Sequence, residues 1–346
     1  MSEYIIDVRD LNKTYIGFDI DRKEAGIGLW IKNIFKLTSN KSQSIHALRK
    51  VSFNVKYGEI FGIYGSNGAG KTTLVKILSG LLYPSEGCIS INGHNKINNI
   101  KNNISYISTN GWMGLEWQLT AKENLILYGN MFGMSGTLLN KRCDDVLEQF
   151  DMYNAKDKYI SQLSAGMRQK ITIARGLIID KPIIYLDEPS VSLDVNSSII
   201  LRSIVREYVM NNSRTAIITS HNPEDLYICD RIMFLYKGEI IAIGTIDELK
   251  KPLENIQTVV VKCPSFDNDK IEKLKDIKGV ANVLAESTEG KRDYQSIKVN
   301  IRQNEATTGD IIDFLVGNNI TVLGMNTKKA TLQEIYEYYM GGVSNG

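Results

Sequence analysis

The chain has 346 residues, 43% hydrophobic and 23% charged, with a formal net charge of +2. That length favours two domains around well-buried cores, and the near-balanced charge gives no global sign of a nucleic-acid partner. The four cysteines, Cys88, Cys143, Cys229 and Cys263, are scattered without CxxC pairing and read as reduced thiols, not as a metal site. Met1 to Asp10 carries acidic residues and no apolar core, and no run approaches ~18 uninterrupted apolar residues. Neither a signal peptide nor a bilayer-spanning helix is expected, which points to a soluble intracellular protein.

A first strand ends at Leu11-Asn12-Lys13-Thr14-Tyr15. Residues 17–45 then read as an insertion. Ile27, Trp30, Ile31 and Ile34 fall at helical spacing, Leu29, Phe35 and Leu37 extend the apolar set, and Lys32 and Lys36 interleave with it. That pattern predicts one short amphipathic helix within 27–37. Trp and Phe opposite lysines suit the lipid headgroup level, and packing against the sheet or a partner protein is the equal alternative.

The apolar run Ile60-Phe61-Gly62-Ile63-Tyr64 leads into Gly65-Ser66-Asn67-Gly68-Ala69-Gly70-Lys71-Thr72-Thr73 and then the helical stretch Leu74-Val75-Lys76-Ile77-Leu78. Strand, glycine-rich turn and helix let successive backbone N–H groups converge on an anion at a helix N-terminus. Glycine is needed where backbone approaches phosphate oxygens or takes positive φ. Lys71 would reach the β- and γ-phosphates and the Thr72 hydroxyl would hold Mg²⁺. The segment binds a nucleoside triphosphate.

Further along, Ile104 to Ser108 reads as a strand followed by Thr109-Asn110-Gly111-Trp112, and Ala121 to Met131 and Lys141 to Phe150 read as helices. Leu163-Ser164-Ala165-Gly166-Met167-Arg168-Gln169 precedes another helical pattern. Ile183-Ile184-Tyr185-Leu186-Asp187-Glu188-Pro189 is a buried parallel strand delivering two acids to the carboxyl edge of a sheet. Asp187 would hold Mg²⁺ through water, and Glu188 would polarise the attacking water. Ser192-Leu193-Asp194 follows, and the strand Ala216-Ile217-Ile218 ends at Thr219-Ser220-His221.

Leu163 to Gln169 closely resembles the signature segment of the ATP-binding cassette (ABC) ATPases, and the other motifs occur in that family's order over roughly residues 4 to 250. The resemblance implies an α/β fold: a P-loop NTPase sheet with an antiparallel β subdomain and a helical subdomain near 95–165. It also implies that Leu163, Ser164, Ala165, Gly166 and Met167 face the γ-phosphate of ATP held by a second copy of the chain. Asp194 resembles the D-loop residue that contacts the opposite site, His221 the switch histidine that bonds the γ-phosphate, and Tyr15 the aromatic that stacks on adenine. Glu188, His221 and Lys71 are then the catalytic set, and Thr109 stands where most cassettes carry a Gln.

The insertion is similar to one in cassettes that export polysaccharides and teichoic acids. After Leu249-Lys250-Lys251-Pro252 a domain boundary is expected at 250/251, followed by a small βαββαβ α+β domain over 251–346. Its strands are read at Thr258–Lys262, Val280–Leu284, Ser296–Ile301 and Ile320–Gly324, and its helices at Lys270–Ile277, Ile311–Val316 and Leu332–Met340. This domain resembles the appendage of small-permease exporters of drugs, antibiotics or ions. The combined expectation is the ATPase subunit of an ABC exporter on the cytoplasmic face of the membrane. It would pair with itself around two ATP–Mg²⁺ and with a separate integral membrane permease, with no nucleic acid partner. A soluble cassette ATPase with a non-transport target, or a ligand-sensing regulator, are the alternatives.

Overall fold

The computed structural model describes residues 3–17, 43–108, 114–179, 181–212, 214–264, 268–286, 295–302, 304–328 and 330–344. The chain divides into two compact units, Met1–Ile243 and Gly244–Gly346. The proposed 27–37 helix lies outside the described residues.

The first unit opens with β1 (Tyr4–Gly17), β2 (Gln43–Lys56), β3 (Ile60–Tyr64), α1 (Lys71–Leu78), β4 (Glu86–Ile91), α2 (Ile97–Lys101) and β5 (Ile104–Ser108). It continues with α3 (Ala121–Met131), α4 (Gly136–Gln149), α5 (Ala165–Leu177), β6 (Ile183–Asp187) and α6 (Val195–Asn212). β7 (Thr215–Ser220), β8 (Arg231–Tyr236) and β9 (Glu239–Gly244) complete it. The strands form an antiparallel sheet of order β2-β1-β4 and a second sheet of order β5-β6-β7-β3-β8-β9. In the second sheet β5, β6, β7, β3 and β8 pair in parallel. Every residue of β3, β6 and β7 is buried, which is why their centres read as short apolar runs in place of an alternating pattern.

The main core is one cluster shared by both sheets and α1, including Val8, Leu48 and Val55, Leu74, Ile77 and Leu78, and Phe61, Ile63, Tyr185 and Ile217. β1 and β2 stay paired as far as Gly17↔Gln43, forming a long β ribbon. The helical segment contains α3, α4 and the N-terminal part of α5; α4 starts at Gly136, five residues before the expected Lys141. Thr120 caps α3 reciprocally with Glu123.

The second unit contains α7 (Ile246–Lys250), β10 (Ile256–Cys263), α8 (Asn268–Lys275), β11 (Val280–Glu286), β12 (Gln295–Arg302), α9 (Thr308–Gly317), β13 (Gly324–Lys328) and α10 (Leu332–Ser344). The two units divide at 243/244, seven residues before the expected boundary, and α7 packs with α10. Its strands form one antiparallel sheet of order β11-β12-β10-β13, the split arrangement of a βαββαβ unit. Ile297, Val299 and Ile301 alternate inward along β12 and pack with Leu274 of α8 and Ile311 and Leu315 of α9. The last strand lies at Gly324–Lys328, beyond the expected Ile320–Gly324. Residues 320–323 bring the chain out of α9: Ile320 N–H bonds back to Leu315 O, and ladder pairing begins only with Leu323 N–H to Lys262 O.

Two outcomes test this packing. Gly176 of α5 sits where a Cβ would overlap Cδ1 and Cγ1 of Ile107 in β5. Gly176→Ala should therefore destabilise the protein by about 1–2 kcal/mol in a denaturant melt, overpacking outweighing the gain in helix propensity, and Ile107→Ala in the same chain should relieve that strain. Asp194, just before α6, accepts from Ser197 N–H at 2.8 Å and Ser197 Oγ at 2.9 Å. The backbone bond from Ser197, then the hydroxyl bond, hold its carboxyl below the usual 3.8. A depressed folded value means the unfolded chain binds the proton more readily. The contribution is complete above the unfolded pKa and lost as pH falls through the folded one. Asp194→Asn should lower stability at neutral pH and flatten the acid limb below about pH 4 in denaturant melts.

Candidate active site

Parallel registers bring the carboxyl ends of four strands together: Ile63 lies beside Thr219, Tyr64 beside Ser220, Asp187 beside Thr219 and Ser108 beside Asp187. Ligand sites in open α/β sheets form at this edge. The phosphate loop leaves β3 there. Gly65 packs against the Leu235 carbonyl too closely for any side chain. Gly70 takes φ 107°, and a Cβ on it would lie 2.6 Å from Ala47 O. No side chain caps α1, and its first turn holds no acid, so the backbone N–H groups of Lys71, Thr72 and Thr73 remain the positive end of that helix. Ser66, Asn67, Gly68 and Thr72 are exposed, whereas Ala69 and Lys71 are buried and Thr73 is half-buried.

Lys71 Nζ donates to Gly65 O at 2.6 Å and lies 3.1 Å from Glu188 Oε1. The other oxygen of Glu188 meets His221 Nδ1 at 2.6 Å and accepts from His221 N–H at 3.2 Å. Glu188 has φ 54°, a left-handed turn that ends β6, and its N–H bonds Thr219 O at 3.0 Å. The carboxylate is thus nearly buried between a lysine and a histidine, with its side chain 16% accessible, while the His221 side chain is 49% accessible. One edge of the imidazole is held by Glu188, leaving the rest to reach a bound group.

Asp187 is buried and heavily hydrogen-bonded. Thr219 Oγ1 donates to its Oδ1 at 2.5 Å, Tyr106 OH donates to Oδ2 at 3.1 Å, and Thr72 Oγ1 lies 3.5 Å from Oδ1. Burial, then the charge of Asp187, push the Tyr106 hydroxyl up to about 12, which keeps it a donor at neutral pH. Thr72 and Asp187 form an all-oxygen pair facing the phosphate loop. Such a sparse, hard set suits Mg²⁺, which takes one or two protein ligands and completes its shell with phosphate and water. Among the described residues no cluster of three or more His, Cys, Asp or Glu stands ready to hold a metal unaided.

Ser164 caps α5 through its Oγ, accepting from Met167 N–H at 3.2 Å; Leu163 is buried, Ser164 and Ala165 are exposed, and Gly166 and Met167 are half-buried. One bond ties this helix start to the loop after β6, Gln169 Nε2 donating to Pro189 O at 3.2 Å, and a Cβ on Gly166 would lie 3.2 Å from Ser192 O of the same loop. Both Asp194 oxygens are engaged by Ser197, leaving this exposed residue as a helix cap within its own chain. Tyr15 is 39% exposed, with Lys13 Nζ 5.2 Å from its ring centroid. It pairs with Ile45, two residues from the Ala47 carbonyl that packs on Gly70, so about 7 Å of strand separates it from the phosphate loop. Thr109 lies outside the described residues.

The site also uses residues to which the motif reading gave no role. Tyr106 and Thr219 hold Asp187, and Asp225 gathers Ser190 and Ser220. The one available signal was position: Tyr106 is two residues from the end of β5, and Thr219 is next to last in β7, both at the carboxyl edge.

Comparison with known proteins agrees with this geometry. The sequence profile described as ABC transporter matches residues 48–191. The ABC transporter ATP-binding protein NatA of Bacillus subtilis is 35% identical over 214 residues, 61% of this chain and 86% of that protein. The linearmycin resistance ATP-binding protein LnrL of Bacillus subtilis is 28% identical over 313 residues, 89% of this chain and 96% of that protein, so the alignment runs through both units. The doxorubicin resistance ATP-binding protein DrrA of Mycobacterium tuberculosis is 36% identical over 60% of this chain and 62% of its own length. Among solved structures, the dimeric post-hydrolysis state of the ATP-binding cassette MJ0796 with ADP and Pi superposes with a TM-score of 0.58 at 25% identity, covering 70% of this chain and 98% of that one. With its glycine-rich loop, acidic strand end and His221 assembled at one sheet edge, the chain belongs to the ATP-binding proteins of ABC transporters and is an ATPase.

Proposed function

We propose that this chain is the motor subunit of an exporter whose pathway is a separate integral membrane permease. The observation that carries the reading is the Lys71–Glu188–His221 constellation, a carboxylate held between a lysine and a histidine beside the phosphate loop. Glu188 orients the attacking water and takes its proton; Lys71 and the N-terminus of α1 hold the β- and γ-phosphates; His221 bridges Glu188 to the γ-phosphate. Thr72 and Asp187 would hold Mg²⁺, which when bound neutralises charge on the phosphate oxygens. Tyr106 and Thr219 keep the Asp187 carboxylate aimed.

Two copies complete two sites, each combining one chain's phosphate loop with the signature residues Leu163 to Met167 and Asp194 of the other. ATP closes this pair and hydrolysis reopens it, the γ-phosphate being the ligand that distinguishes the two states. Dimeric cassettes among the structural relatives support the pairing. Among the described residues no helix is long and apolar enough to cross a membrane. The place proposed for the chain is therefore the cytoplasmic face of the membrane, docked on the permease, with the amphipathic pattern of 27–37 at the lipid surface. Relatives named for resistance to doxorubicin and linearmycin and for Nod factor export support outward transport.

Affinity purification from membranes of cells expressing the chain with its genomic neighbours should bring down a polytopic protein. Glu188→Gln should sediment as a dimer with ATP and as a monomer without it; recovery of the chain alone, still hydrolysing ATP, would contradict the transport role. Tyr106→Phe removes a hydrogen bond to a charged acceptor. It should raise the Mg²⁺ concentration for half-maximal ATPase activity about fivefold to tenfold with ATP binding in EDTA unchanged.

A further inference from the structure

Asp225 is 2% exposed and lies in the short 3-10 turn Pro223–Leu226 that follows β7. Its Oδ2 accepts two hydroxyl bonds, from Ser220 Oγ at 2.8 Å and Ser190 Oγ at 2.5 Å. Its Oδ1 has no hydrogen-bond partner among the described residues and faces Arg202 Nη1 of α6 at 3.6 Å. Burying a carboxylate is unfavourable unless hydrogen bonds and a counter-charge replace its lost hydration. An apolar residue would fill this turn at less expense, so the charge calls for an account.

The two serines supply it. Ser190 is two residues after Glu188, and Ser220 is the residue before His221. Ser220 Oγ also accepts from Asn222 N–H at 2.9 Å, so the bonds bracket His221 on both sides. The Asn222 side chain in turn accepts from Glu224 N–H at 3.1 Å, fixing the turn that presents Asp225. One buried oxygen therefore joins the loop leaving β6 to the end of β7. The Glu188–His221 bond at 2.6 Å spans the same two strands. We infer that Asp225 is a positioning residue for hydrolysis, setting the separation of Glu188 and His221 from behind without touching nucleotide. The inference rests on Glu188 and His221 acting as proposed above.

Asp225→Asn keeps the shape and one acceptor oxygen but removes the charge that two hydroxyls and Arg202 share. In the purified full chain it should lower kcat about tenfold or more while the KM for ATP and the affinity for a fluorescent ATP analogue stay within about twofold. Asp225→Glu should recover part of kcat. Ser220→Ala, a smaller change, should lower kcat in the same direction and serves as the readout if Asp225→Asn does not fold. In the His221→Ala background, Asp225→Asn should add little further loss, because the pair it aligns is already broken. Unchanged kcat in both Asp225→Asn and Ser220→Ala, or an equal factor lost with and without His221, would overturn the inference and leave Asp225 a stability residue. Glu188→Gln is the control: full activity in that variant would overturn the hydrolytic assignment itself.

Discussion

The constraint on which the rest of the structure depends is the placement of one carboxylate. Glu188 must sit beside a lysine and a histidine that come from distant parts of the chain, and parallel pairing makes this happen. β3 delivers the loop bearing Lys71, β6 delivers Glu188 and β7 delivers His221, all in register at one edge. Because both faces of these strands are buried, their register is fixed by packing on each side, and a slip would break the core as well as the site. Fold stability and site geometry are the same interaction viewed from two ends.

Around that carboxylate the chain places two rings of support. Thr219, Tyr106 and Thr72 surround Asp187, and Ser190, Ser220 and Arg202 surround Asp225. Thr219 and Ser220 are adjacent in β7 and bond the two acids separately, so this strand end links Asp187 to Asp225. Helix α5 joins through Gln169 and Pro189, one hydrogen bond from the loop after Glu188.

Much of this was legible from residues alone. The phosphate loop, the acidic strand and the strand before His221 each combine an apolar run with a chemically specific end, and such local patterns survive reading in one dimension. Asp225 was not legible. Its partners are 35 and 5 positions away, and its sequence surroundings in Pro223-Glu224-Asp225 suggest a solvated turn. Tyr106 was lost for a similar reason, its partner Asp187 being 81 positions distant. In the second unit the apolar residues 320–323 suggested a strand, yet the ladder runs through Gly324–Lys328, an edge strand with little buried side chain. β13 offers no such signal because none of its side chains is buried, whereas Val283 of the other edge strand, β11, is in the core. The break in pattern after Tyr15 was visible, whereas the continued pairing to Gly17↔Gln43 was not, because that ribbon has no apolar alternation at its tip.

The most direct test of the central claim is the single-turnover rate of ATP hydrolysis by the Glu188→Gln protein, measured beside its affinity for ATP. The account predicts a rate lower by about a hundredfold or more, with ATP binding retained because Lys71 and the phosphate loop are untouched. A rate close to wild type would contradict it and require that another group activate the water.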